Sequence, residues 1–243
     1  MINNIVSKKT KGQKQFAVLL DPETYFNNQK LLKKVLENAN KINVDFLLAG
    51  GSITSVNMFE FISLIKNLTS IPVLLFPGSL LQISDNADGI LLLSLISGRN
   101  ADFLIGNHVL AANKLKTSGL EIIPTGYILV EGGKVSTTEY ISNTRPIPAD
   151  KPEIAVATAL AGEMLGLKLI YLEAGSGAQN SVNEILISHV SKHLQIPLIV
   201  GGGIKSESQI KNAYRAGADI VVVGNAIEQN PDLVISLCDL RSY

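Results

Sequence analysis

The sequence predicts an α/β chain folded as a (β/α)8 barrel of the TIM type, and three observations carry that expectation. Short apolar runs alternate with segments of helical spacing along 243 residues, a length ordinary for one such barrel. Three of the late runs deliver the chain to small-residue turns: LIYLEAGSGA (169–178), IPLIVGGGI (196–204) and DIVVVGNAI (219–227). The last two stand one helix apart, the arrangement in which the final units of a barrel hold a phosphate on their loops and a helix N-terminus.

The elements follow in order. Residues 1–15 are polar and basic, a short helix or a disordered lead. Residues 16–20 (FAVLL) form the first buried strand, stopped at Asp21-Pro22-Glu23. Residues 28–40 have helical spacing, with Leu31, Leu32, Val35, Leu36 and Ala39 on one side. Residues 46–49 are a second strand closed by Gly50, Gly51 and Ser52, and 53–68 a second helix. The third strand, 73–76, ends in Pro77-Gly78-Ser79, and the stretch 80–87 is too short for a full barrel helix. Residues 89–93 are a fourth strand and 100–116 its helix. The fifth strand lies in 121–130, and Pro124 and Gly126 inside it predict an irregular or two-part strand. The connector 131–151 is long enough for a functional loop or a contact with a neighbouring subunit. A helix over 152–165 opens on proline. The strand at 169, a helix over 182–194, the last two units and a closing helix from 231 complete one domain, 1–243.

Composition narrows the function. With 46% hydrophobic residues the chain can fill a large core. Basic and acidic residues balance at 21 each, which speaks against nucleic acid or an anionic membrane as the main partner. The lone Cys238 excludes an internal disulfide and fits a reducing compartment. The first residues lack the apolar core of a signal peptide. The apolar run 90–96 falls far short of the roughly 20 residues that span a bilayer. These features predict a soluble, cytoplasmic protein.

Chemistry on a barrel belongs at the C-terminal strand ends. Collected there are Asp21, Ser52, Ser79, Tyr171, Glu173, Ser176 and the late glycines. Alternation puts Tyr171 and Glu173 on one side and Leu172 on the other. Gly175 and Gly177 let backbone approach an anion, and Ser176 adds a hydroxyl. Asp21 reads equally as a turn cap or a ligand. No His and Cys cluster has zinc spacing; His108, His189 and His193 fall in helices and read as surface or packing residues. One Asp beside a Ser suits magnesium only when a phosphate oxygen and waters complete its shell.

The segments YLEAGSGA, LLDPE, LAGGS, LLFPGS, RPIPADKPEIA, VGGGI and VVGN resemble the geranylgeranylglyceryl phosphate synthase family. These are prenyltransferases on a modified (β/α)8 barrel, related to the PcrB heptaprenylglyceryl phosphate synthases. The resemblance runs over about 16–225 and is most specific in YxEAGSGA. It implies a third helix replaced by an extended segment, in line with the short stretch 80–87. It also implies a reaction: the 3-hydroxyl of sn-glycerol 1-phosphate attacks the first carbon of a prenyl diphosphate, geranylgeranyl diphosphate foremost. An ether forms, diphosphate leaves, and magnesium assists. Asp21 and Ser52 match the family's magnesium positions. Tyr171, Leu172, Glu173, Ala174, Gly175, Ser176 and Gly177 match its glycerol phosphate segment, with Gly202-Gly203 and Gly224-Asn225 on the phosphate.

In that reading Glu173 takes the attacking proton and the Tyr171 ring faces the developing allylic cation. Phe76, Leu93, Phe103 and Ile123 are candidates for an apolar trench, each equally plausible as core, and Phe103 for its floor. The resemblance further implies a homo-oligomer; Tyr140, an aromatic in the connector, is a candidate for its interface, and a lipid product leads to an expectation of transient contact with a membrane surface. Two other classes stay open. Another phosphate-binding barrel enzyme would place a catalytic Lys or an Asp pair at strand ends, or a flavin on the late glycine loops. A barrel that binds prenyl or glycerol phosphate without turnover would lack activity.

Overall fold

The computed structural model describes residues 1–238, and in it eight parallel strands close into a barrel in sequence order. Helix α1 (Ile2–Thr10) precedes β1 (Gln15–Leu20), followed by α2 (Pro22–Phe26) and α3 (Gln29–Lys41). Then come β2 (Phe46–Ala49), α4 (Met58–Lys66) and β3 (Val73–Leu75). Only a 3-10 turn, Leu80–Gln82, joins β3 to β4 (Gly89–Leu95), so the third barrel helix is missing as expected. A π-helical turn (Asp102–Gly106) leads into α5 (Asn107–Thr117), then β5 (Glu121–Leu129), α6 (Thr137–Ser142) and α7 (Pro152–Met164). The remaining units are β6 (Leu169–Glu173), α8 (Glu184–His193), β7 (Leu198–Gly201), α9 (Glu207–Ala216), β8 (Ile220–Val223) and α10 (Asn225–Gln229). The closing helix is α11 (Leu233–Cys238); the rest of the expected tail lies outside the described residues.

Strand alternation divides the core into two layers. Ala17, Phe46, Leu48, Leu74, Leu91, Ile123, Leu169, Tyr171 and Ile199 fill the barrel interior. Val18, Leu47, Leu75, Ile170, Leu172 and Val200 face outward and pack with the helices. The lead segment is ordered and has a task. Helix α1 buries Ile5 with the interior layer and ties itself to the N-terminal rims of the strands. Lys8 pairs with Asp45 before β2, and Lys9 Nζ lies 2.7 Å from Asp219 before β8. The end opposite the site is therefore plugged.

Three expectations change. β5 is one unbroken strand despite Pro124, which sits in register with Leu92. The Pro124 carbonyl accepts the Lys168 N–H at 2.8 Å, so the donor it lacks would face chain that precedes β6, where no ladder bond is lost. The helix expected from residue 53 starts at Met58, capped by Asn57. Residues 54 and 55 instead bond the Glu23 carboxylate: Thr54 Oγ1 donates at 2.9 Å and Ser55 Oγ at 3.1 Å, which holds that stretch as a loop. The connector after β5 is not open coil. Ile147 pairs with Val130 at the end of β5, and α6 lies between, ended by Asn143 in the left-handed region. Among the described residues no helix is long and apolar enough to cross a membrane.

Candidate active site

The strand-end residues singled out by sequence, Ser79, Gly175 and Gly201 apart, converge on one cleft of about 490 Å³ at the C-terminal mouth of the barrel. Asp21, Gly50, Gly51 and Ser52 form one side; Ser176, Gly177, Gly202, Gly203, Gly224 and Asn225 form the other. Tyr171 and Glu173 rise between them. Leu172 points outward into the helix layer, and neither Ala174 nor Gly175 lines the cleft: Ala174 is buried in the outer layer, and the Gly175 N–H is turned to the Glu173 carboxylate.

Glu173 is 5% exposed, and its Oε1 accepts the Gly175 N–H at 2.8 Å. Burial pushes its carboxyl up to about 7, against the pull of the Gly175 N–H and the Tyr171 hydroxyl. Tyr171 is fully buried and its phenol is held well above its usual range, by burial first and then by Glu173. Its hydroxyl lies beside Glu173 without making a hydrogen bond of normal geometry. Two glycines create the room: a Cβ on Gly201 would fall 2.3 Å from the Tyr171 oxygen, and one on Gly202 only 2.1 Å from Glu173 Oε1. The GGG turn thus serves the strand beside it as much as any anion.

Asp21 makes the turn cap that its position allowed. Its Oδ1 caps α2 by accepting the Glu23 N–H at 2.9 Å. Its Oδ2 lies 2.9 Å from where a Cβ on Gly51 would stand, so only glycine leaves that oxygen its space next to Ser52. Burial raises the Asp21 carboxyl, and Glu23 adds to this. Among the described residues no three His, Cys, Asp or Glu side chains converge. The donor set at Asp21 and Ser52 fits a hard cation that takes its other oxygens from substrate and water.

The glycine turns present donors to a single point. Ser176 Oγ–H and Gly177 N–H both reach Asn225 Oδ1, each at 3.1 Å.

Beside the cleft an apolar groove runs outward under the connector. Phe76, Leu93 and Phe103 line it, as expected, together with Leu80, Ile83, Leu92, Ala111 and Ile141. Ile123 does not: it is fully buried in the barrel interior, because its place in β5 points it inward below the mouth. Cleft and groove share Gly51, Ser52, Phe76, Tyr127 and Thr138. At that junction Phe76 stacks on Tyr171 with ring centroids 5.3 Å apart, and Tyr127 lies 5.5 Å from Tyr171 and 6.0 Å from Phe76.

Sequence reasoning missed several residues here. Tyr127 sat inside a strand suspected of irregularity; its alternation with Ile123 and Thr125 was the available signal. Thr138, whose Oγ1 lies 3.3 Å from Ser52 Oγ, and Lys134 come from the connector, which carried no periodic signal. His108 is not simply a packing residue. It lines the groove, with Nε2 3.0 Å from Ser94 Oγ, and burial lowers its pKa, favouring the neutral ring. His189 and His193 are exposed, as expected.

A geranylgeranylglyceryl phosphate synthase of Spirosoma linguale is 54% identical over 230 residues, covering 94% of this chain and 92% of its own. One of Pyrococcus furiosus is 40% identical over 229 residues, 93% of this chain and 90% of its own. A crystal structure of (S)-3-O-geranylgeranylglyceryl phosphate synthase from Thermoplasma acidophilum, in complex with its substrate sn-glycerol-1-phosphate, superposes with a TM-score of 0.91. It is 32% identical and covers 99% of this chain and 97% of that one. The model of the PcrB family matches residues 8–238, and the chain belongs to that family.

Proposed function

We propose that this chain is a prenyltransferase that joins the 3-hydroxyl of sn-glycerol 1-phosphate to the first carbon of a prenyl diphosphate, geranylgeranyl diphosphate foremost, releasing diphosphate. The observation that carries the reading is the continuity of a polar, glycine-lined cleft with an apolar groove through shared aromatic residues. A phosphorylated, hydroxylated substrate fits the first, a long isoprenoid tail fits the second, and the bond forms where they meet. The Thermoplasma acidophilum neighbour, with sn-glycerol-1-phosphate in its structure, supports the acceptor.

The roles follow from position. Ser176, Gly177, Gly203, Gly224 and Asn225 hold the glycerol phosphate by backbone and side-chain donors. Glu173 orients the glycerol hydroxyls and takes the proton of the attacking one. Asp21 and Ser52 would hold magnesium, which when bound neutralises the departing diphosphate as a Lewis acid. The faces of Phe76, Tyr127 and Tyr171 surround the point where positive charge develops on the allylic carbon, and an aromatic face attracts it.

The direct test is transfer of radiolabelled sn-glycerol 1-phosphate to separately offered geranylgeranyl, farnesylgeranyl and heptaprenyl diphosphates, with the 3-phosphate enantiomer as control. A butanol-extractable product from one chain length, absent with the enantiomer, is expected. No product from folded protein with any donor overturns the reading.

Phe103, on the π-helical turn, narrows the groove from its side. Phe103→Ala is expected to shift the preferred donor to a longer chain, read as the ratio of kcat/KM values across the three diphosphates. An unchanged ratio removes Phe103 from the floor. The chain is also read as a homo-oligomer that uses the connector. Tyr140 is 79% exposed on α6 with Ile141 beside it, the kind of aromatic that anchors an interface. Tyr140→Ala should move the protein to a smaller species in sedimentation velocity, and an identical profile would count against that surface.

A further inference from the structure

The glycine turns are not the whole anion site: the connector brings a cation over them. Residues 132–136 are fastened to the loop after β6. The Gln179 and Asn180 N–H groups donate to the Gly132 carbonyl at 3.0 and 3.1 Å. Ser136 packs its Cβ 2.6 Å from where a Cβ on Gly175 would stand. Fixed at both sides, the strap directs Lys134 across the loop, and its Nζ lies 3.6 Å from the position of a Cβ on Gly177. The same side chain lines the cleft with Ser176, Gly177 and Asn225. Among the described residues no carboxylate pairs with Lys134. The neighbouring Lys205 also lines the cleft, but its Nζ is engaged by the Ala178 carbonyl at 3.1 Å.

We propose that Lys134 is a phosphate-binding residue, supplying from the connector the positive charge that selects the phosphorylated acceptor on the Gly175–Gly177 loop. The inference rests on the acceptor reading above and adds to it. Backbone N–H groups orient an oxyanion, and a mobile ammonium beside them supplies full charge to a doubly negative phosphate. Because the strap also carries Thr138 and Ile141 to the junction and the groove, a merely structural role for Lys134 would disturb both substrates together.

The test compares Lys134→Met and Lys134→Arg with the unchanged chain. Steady-state kinetics are measured for each substrate, and binding of sn-glycerol 1-phosphate by calorimetry. Lys134→Met is expected to raise KM and Kd for sn-glycerol 1-phosphate roughly tenfold, the usual worth of one charge-assisted hydrogen bond. The KM for prenyl diphosphate should hold, kcat should stay within about threefold, and Lys134→Arg should recover most of the affinity. Unchanged glycerol phosphate affinity in Lys134→Met, or equal losses for both substrates, overturns the proposal while the reaction stands. If the unchanged chain binds sn-glycerol 1-phosphate without turnover and Lys134→Met loses that binding, the proposal stands and the reaction reading falls. If the unchanged chain does not bind it, both fall.

Discussion

Glu173→Gln lowers kcat by roughly 10²–10⁴-fold, the contribution of a well-placed general base, while leaving glycerol phosphate bound. The geometry makes the substitution a clean one. Glutamine keeps the volume and the oxygen that accepts the Gly175 N–H, and the Tyr171 hydroxyl beside it can accept from the new amide. What is lost is the ability to take a proton.

The same residue sets an acid limb. With its carboxyl raised to about 7, Glu173 is protonated below neutrality and cannot act as a base, so kcat/KM rises with pH through that region and levels above it. The residual rate of Glu173→Gln should lack this limb. Stability runs the other way. The folded value lies above the ordinary 4.5, so the folded chain binds more protons between about 4.5 and 7. Stability is fully present below that window and is lost as pH rises through it. The Tm of the unchanged chain should therefore fall between pH 5 and 8 more steeply than that of Glu173→Gln. Full activity in the variant would remove Glu173 from the base role, and parallel Tm profiles would mean that its burial costs the fold nothing.

What sequence could reveal here followed from periodicity. β6 alternates cleanly, which puts Tyr171 and Glu173 on one side and Leu172 on the other; the resemblance carried Leu172 into the glycerol phosphate segment, but its side chain packs with the helices. Glycine and serine at strand ends marked the rest of the cleft, and the brevity of 80–87 foretold the missing helix. The connector was illegible for a physical reason. Its contribution depends on a single ladder pair, Val130 with Ile147, and on Ser136 capping a helix of six residues, and neither leaves a periodic trace. Lys134 and Thr138 reach the cleft through that fold-back alone. Ile123 failed differently. Nearness to a strand end made it a trench candidate as readily as a core residue, but depth along the barrel depends on the stagger of neighbouring strands, and stagger places it below the mouth.

Gly202→Ala tests the claim that the GGG turn exists partly for Glu173. Two costs arise at that position. Gly202 has φ +79°, and a residue with a Cβ in the left-handed region is disfavoured by about 1–2 kcal/mol. The new Cβ would also stand 2.1 Å from Glu173 Oε1 and 2.7 and 2.8 Å from the Gly175 and Ala174 nitrogens, so the carboxylate has to leave. Gly177→Ala isolates the first cost. It shares the left-handed backbone at φ +66°, but its Cβ would meet only the Lys134 ammonium, at an ordinary 3.6 Å. Both variants should lose about 1–2 kcal/mol of stability from the backbone. Only Gly202→Ala should lose further stability and also roughly 10²-fold or more in kcat, since an ångström of misplacement at a reacting group costs about that much. Chemical denaturation and single-turnover rates on the two proteins separate these contributions. Equal stability and equal rates in both would mean that Glu173 does not depend on the space beside Gly202, and the turn would then be read as an anion cradle alone.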